Sequence, residues 1–137
     1  MADNYPEAAG KHAVDCRVLL MGGRFDGAGY LAGYAIECVL KTLIKVEGGP
    51  KILHHDLGQL SSEAIRLASF PSRKTAKYVT RPNVTTLTYG APDGWRETLR
   101  YEPPGVVSAT KATAWVDEAQ RLHKEVIIAM KLDGLIP

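Results

Sequence analysis

Arg24-Phe25-Asp26-Gly27-Ala28-Gly29-Tyr30-Leu31-Ala32-Gly33-Tyr34-Ala35-Ile36-Glu37-Cys38-Val39-Leu40-Lys41 is the stretch that decides the fold. Continued through Val46, it reads as one helix from roughly Asp26 to Glu47, stopped by Gly48-Gly49-Pro50. Tyr30, Leu31, Tyr34, Ile36, Val39, Leu40, Leu43, Ile44 and Val46 spread around most of its circumference. Only a narrow row is charged, Glu37, Lys41 and Lys45 at helical spacing, and Gly29 and Gly33 extend that row backward. Each of these charges costs about 2.5–3.5 kcal/mol near a bilayer centre, so the segment is a core helix and not a membrane span. A helix apolar nearly all round is buried on more than one side. In so short a chain the second buried side suggests a subunit interface, with the two glycines admitting a close helix.

Three further helices flank it, giving predicted boundaries of about 6–21, 26–47, 57–69 and 107–132. The first opens at Pro6, a residue tolerated in the first turn, and carries Ala9, Ala13, Cys16, Leu19 and Leu20 before Gly22-Gly23. The third follows His54-His55, with Asp56 and Gln59 as a variant capping box. The last follows Pro103-Pro104-Gly105 and shows the stripe Ala112, Trp115, Ala119, Leu122, Val126 and Ala129. Pro71 to Gly94 has little helical period and reads as a long loop, with room for a short hairpin or helical turn. The expectation is an all-α four-helix domain, a dimer through its second helix.

The rest of the composition fits this picture. The chain has 137 residues, 17 basic and 15 acidic groups, 45% hydrophobic content and two cysteines. That length suits one domain able to bury a sizeable core without disulfides or metal. Cys16 and Cys38 stand among apolar residues outside any paired motif, and read as buried free thiols. Asp3, Glu7, Lys11 and Asp15 break the apolar core that a secretory leader needs, so the expected setting is cytoplasmic.

The stretch Arg24 to Lys41 resembles the second-helix signature of HEPN domains, the higher eukaryotes and prokaryotes nucleotide-binding family. His12, Ala13 and Asp15 in the first helix, His55-Asp56-Leu57 at the start of the third, and Trp95 with Arg100-Tyr101 before the last follow in the family's order. The resemblance spans nearly the whole chain except Pro71 to Gly94. It implies an all-α up-and-down bundle that usually dimerises. It also implies one of two roles. Many HEPN proteins are ribonucleases with an R-x(4–6)-H motif completed across the dimer. Others lack the motif and act as binding or scaffolding partners, often beside a minimal nucleotidyltransferase in prokaryotic toxin–antitoxin or defence pairs.

The histidines are His12, His54, His55 and His123, and none has an arginine five to seven residues before it. The sole close pair, Arg121 and His123, has a spacing that puts the side chains on different helix faces. The ribonuclease motif is therefore absent. Two readings follow: a non-nucleolytic binding or assembly subunit, or a ribonuclease whose chemistry comes from Arg121, His123 or the basic loop.

Among the signature residues Arg24, Tyr30, Tyr34, Glu37, Lys41, His55, Arg100 and Tyr101, Glu37 is the most constrained. In so apolar a helix it is at least partly buried, and a buried carboxylate requires a second cation besides Lys41; Arg24 and Arg100 are the candidates. The pair is either a structural ion-pair network or part of a ligand-contacting groove. His54-His55-Asp56 is a poor metal motif, because adjacent histidines on an extended link point apart and no Cys/His cluster completes a site. Trp95 and Trp115 read as core anchors. No phosphate-loop motif accompanies the glycines, and no cofactor is expected.

Charge is unevenly distributed. Arg66, Arg73, Lys74, Lys77, Arg81, Arg96 and Arg100, with Asp93 and Glu97, give residues 66–100 a net +5 on a body of −3. Tyr78 and Tyr89 interleave with these cations. Such a segment suits RNA or a nucleotide through Arg73, Lys74, Lys77, Arg81 and Arg96, an acidic protein partner, or solvent alone.

Overall fold

A computed structural model describes residues 3–69, 73–79 and 94–137. These are all-helical, with no strand among them. The long helices are α1 (Tyr5–Met21), α2 (Phe25–Val46) and α3 (Leu57–Ala68). A single turn, α4 (Ala76–Val79), and a 3-10 turn (Glu97–Tyr101) follow. The C-terminal run is α5 (Ala109–Leu122), a π-helical segment (His123–Ile128) and α6 (Ala129–Leu132). The four predicted helices match these to within two residues at each end. α4 lies inside the expected loop, while residues 71, 72 and 80–93 of it fall outside the described residues.

Side-chain caps set the boundaries. Asn4 accepts from the Glu7 N–H at 3.2 Å, Asp56 from Gln59 at 3.0 Å and Ser108 from Lys111 at 3.1 Å, each satisfying a donor that the helix start leaves open. Gly23 (φ 75) and Gly48 (φ 74) supply the left-handed turns that stop α1 and α2. Asp26, in the first turn of α2, accepts the N–H groups of Gly105 at 2.8 Å and Val107 at 2.9 Å. These two bonds tie the turn before α5 to α2 and hold the Asp26 carboxyl below its usual pKa.

α2 is the centre of the core, packed against α1, α3 and α5. Fourteen of its residues are buried, Ala28 through Ile44 with gaps only at Tyr30, Leu31 and Tyr34. The chain itself provides that cover, so the apolar character of these residues does not call for a subunit interface along α2. The glycine row shows why. A Cβ on Gly33 would lie 2.0 Å from the Trp95 indole, and one on Gly29 would lie 2.8 Å from Val107 and 3.0 Å from Trp115. The close neighbours admitted by the glycines are two tryptophans of the same chain, both core residues as expected.

Contacts along the helices fix their directions. Glu7 meets Lys131, Gly10 faces His123 and Ala13 accepts from Gln120, so α1 and the C-terminal run are antiparallel. The start of α3 lies at Glu37 through His55, whereas Leu67 near its end lies at Gly49. α3 therefore runs in the same sense as α2, and the up-and-down alternation expected for four helices fails here. Residues 47–56 run back along α2 before α3 begins. That return is what assembles the site.

Candidate functional site

Glu37 is 5% exposed and Lys41, one turn on, 8%; Lys41 Nζ sits 3.0 Å from Glu37 Oε2. The returning link adds the second partner. Gly48 and Pro50 end α2, and Asp56 stops the extended chain by capping α3. This leaves His55 Nδ1 at 2.9 and 3.1 Å from the two Glu37 oxygens. A carboxylate only accepts, so Nδ1 carries the proton and Nε2 is the nitrogen left for other partners. His55 thus takes the place expected for Arg24 or Arg100. Arg24 precedes α2, thirteen residues and about 20 Å of helix from Glu37.

Toward the N-terminal end of α2 the same face is aromatic. Tyr30 donates to the Tyr34 hydroxyl at 3.1 Å, and their rings meet edge to face at 4.9 Å. Tyr34 also meets His55 at 5.9 Å, Trp95 at 5.1 Å and His12 at 6.1 Å. Burial, with the Tyr30 hydroxyl, pushes the Tyr34 phenol well above its ordinary pKa. Trp95 donates to the Tyr30 carbonyl at 2.9 Å, which locks the indole over Gly33. The 3-10 turn then sets Arg100 within electrostatic reach of Tyr30 and Tyr34, its guanidinium 5.1 Å above the Tyr101 ring. Tyr30, Tyr34, Glu37, Lys41 and His55 therefore share one row of contacts along α2, which Arg24 does not join.

At the other end, Lys41 and Lys45 stand 5.8 and 6.0 Å from the centroid of Tyr5, the first residue of α1. From Tyr30 to Lys45 the line covers about 22 Å of helix. His12 faces it from α1. Its Nδ1 is buried with no hydrogen-bond partner, and burial followed by nearby Lys11 lowers its pKa.

The predicted basic residues do not form one patch. Lys74 and Thr75 donate backbone N–H groups to Glu47, Lys77 pairs with Asp133 at 2.9 Å, and Arg96 lies 3.7 Å from Glu102. Arg73 lies near Glu47, and Arg81 and Tyr89 fall outside the described residues. Tyr78 is buried and donates its hydroxyl to Asp133, so its ring is not a stacking platform. Among the described cations of this segment, Arg66, Lys77 and Arg96 each have a carboxylate partner.

Arg121 and His123 diverge, as their spacing predicts. Arg121 is bound by Glu118 at 2.8 Å and Glu125 at 3.0 Å, while His123 packs against Gly10. Burial, then Lys131, lowers the His123 pKa. Among the described residues no group of three or more His, Cys, Asp or Glu is placed to hold a metal, and no helix is long and apolar enough to cross a membrane.

Tyr5 is the residue of this row that sequence reading missed, whereas His12 entered it through the family resemblance. Tyr5 carried a signal in its type but not in its spacing. No protein-family model, curated protein or solved structure matches the chain.

Proposed function

We propose that this chain is a non-nucleolytic, HEPN-like binding subunit that takes single-stranded RNA over the half-buried Tyr30 and Tyr34 of α2. The observation that carries the reading is the ring cluster of Tyr30, Tyr34, His55 and Trp95 brought together from separate elements, with Arg100 over the exposed Tyr101 on the 3-10 turn that follows. Aromatic rings beside a guanidinium suit unstacked bases and phosphates, whatever their sequence. The separation of Arg121 from His123, and the carboxylates on Arg121, speak against a general-acid role for that pair.

Fluorescence anisotropy with a labelled single-stranded RNA tests this. Affinity should fall steeply with salt and drop at least tenfold in the Arg100→Glu/Tyr101→Ala variant, with the RNA intact after prolonged incubation. Salt-insensitive or absent binding sinks the reading. Cleavage lost in His123→Ala would establish the ribonuclease alternative instead.

In this reading the chain is an assembly subunit in a prokaryotic toxin–antitoxin or defence pair with a minimal nucleotidyltransferase. Recovery of such an enzyme with the chain from its native cell is the check. A second copy would find its apolar contact on α1, where Val14, Val18 and Met21 stand exposed in one row, rather than on buried α2. A solution mass near twice 14.9 kDa supports that.

A further inference from the structure

The link between α2 and α3 is tied down at its ends and open in its middle. A Cβ on Gly49 would lie 2.7 Å from Ile44 and Leu67, and His55 is held by Glu37. Between these anchors Ile52 is half-buried, whereas Pro50, Lys51, Leu53 and His54 are exposed. The middle is clasped by an ion pair, Lys51 Nζ at 2.9 Å from Asp3, two residues ahead of α1. Beneath the clasp is a cleft of about 300 Å³ that Tyr5, Lys41, Lys45 and Ile52 also line. Asp3 accepts from the Tyr5 hydroxyl at 3.1 Å as well. Lys51, then Tyr5 and, at longer range, Lys41 hold its carboxyl below the usual carboxylate range. Asp3 is therefore an anion of the chain itself, seated among lysines and a ring where an outside anion would otherwise sit.

Both side chains of the clasp are largely in water, 64% and 48% exposed, and ion pairs of that kind are weak and screened by salt. The anchors are of another sort. Glu37 is buried and holds His55 and Lys41 together, so the middle of the link can swing out while its ends stay in place. On the reading of the α2 face as an RNA surface, we propose that residues 50–54 form an autoinhibitory strap, held shut by Asp3, over the lysine end of that face. Shut, the strap leaves Lys41 buried and Lys51 engaged. Open, it frees Lys51 from Asp3 and uncovers Lys41 and the Tyr5 ring beside the already exposed Lys45. A polyanion makes these contacts with the open form alone, and that difference in affinity is what draws the strap open.

Two variants of the full chain with the same change in net charge test the strap: Asp3→Asn, and Asp15→Asn at an exposed acid of α1. Methyl NMR of Ile52 without RNA reads the strap, and anisotropy with a labelled single-stranded RNA reads the inhibition. In Asp3→Asn the Ile52 methyl signals should move toward the values of a free residue, as they should in the wild type when salt is raised. The same variant should bind the RNA about fivefold more tightly than the wild type, since a larger fraction of it is competent. Asp15→Asn should leave both readings near the wild type. Ile52 signals unmoved by Asp3→Asn overturn the strap. Moved signals with unchanged affinity, or equal tightening in both variants, overturn the inhibition and leave the RNA surface standing. Absence of RNA binding in the wild type and in Asp3→Asn refutes both.

Discussion

Glu37 Oε1 lies 2.9 Å from Nδ1 of His55, eighteen residues along the chain, and the same carboxylate binds Lys41 at 3.0 Å. A helix residue and a link residue are thereby fastened at one buried acid. The relationship explains how the link that leads into α3 is held against α2.

Removing Glu37 leaves Lys41 buried with no counter-charge, so Glu37→Ala should cost about 3–5 kcal/mol in urea unfolding. Replacing both partners, as in Glu37→Leu/Lys41→Met, should recover most of that loss, because no buried charge remains. A double variant as unstable as the single one would show that Glu37 matters through His55 and not through Lys41.

The glycines of α2 separate by what lies above them. Gly33→Ala places a methyl group inside the Trp95 ring position, and the indole is held by its bond to Tyr30. Overpacking of about 1–3 kcal/mol is expected, at the upper end of that range, with altered tryptophan fluorescence. Gly27→Ala meets only the end of Leu19 at 3.2 Å and should be neutral or stabilising by up to about 1 kcal/mol. If both behave alike, Trp95 does not sit on Gly33.

These contrasts show where sequence reading succeeds and stops. α2 was legible because an all-round apolar pattern survives any arrangement of neighbours. The identity of those neighbours was not, since Gly33 and Trp95 carry no local mark of their meeting. The link from Gly48 to Asp56 has no period to betray its direction. Its return along α2 turned His55 into the second partner of Glu37. Likewise the run from Arg66 to Arg100 looked like a patch, yet Arg66 binds Glu63 and Lys77 binds Asp133, pairings that a linear sum of charge does not contain.

Both cysteines should be inert in the folded chain. Burial pushes the Cys16 thiol up to about 11 and the Cys38 thiol up to about 12, with Glu37 adding to the latter. At pH 8 the thiolate fractions are then about one in a thousand and one in ten thousand. A thiol reagent should label neither in native buffer and both in denaturant. Rapid native labelling of Cys38 would mean that the α2 face opens.

Two half-buried histidines predict an acid-sensitive fold. His12 and His123 both have pKa values lowered by burial, so the unfolded chain binds protons in a range where the folded chain does not. Their contribution is fully present above the ordinary histidine value of about 6.5 and is lost as pH falls toward and through the depressed values. The carboxylates of Glu7, Asp26 and Glu47 are held below their usual pKa and titrate beneath that window. The urea midpoint should therefore drop between pH 7 and pH 5. It should drop less in a His12→Gln/His123→Gln variant, which removes both groups while keeping a polar side chain at each site. An equal decline in the variant would assign the acid sensitivity to other groups and remove the burial argument for these two.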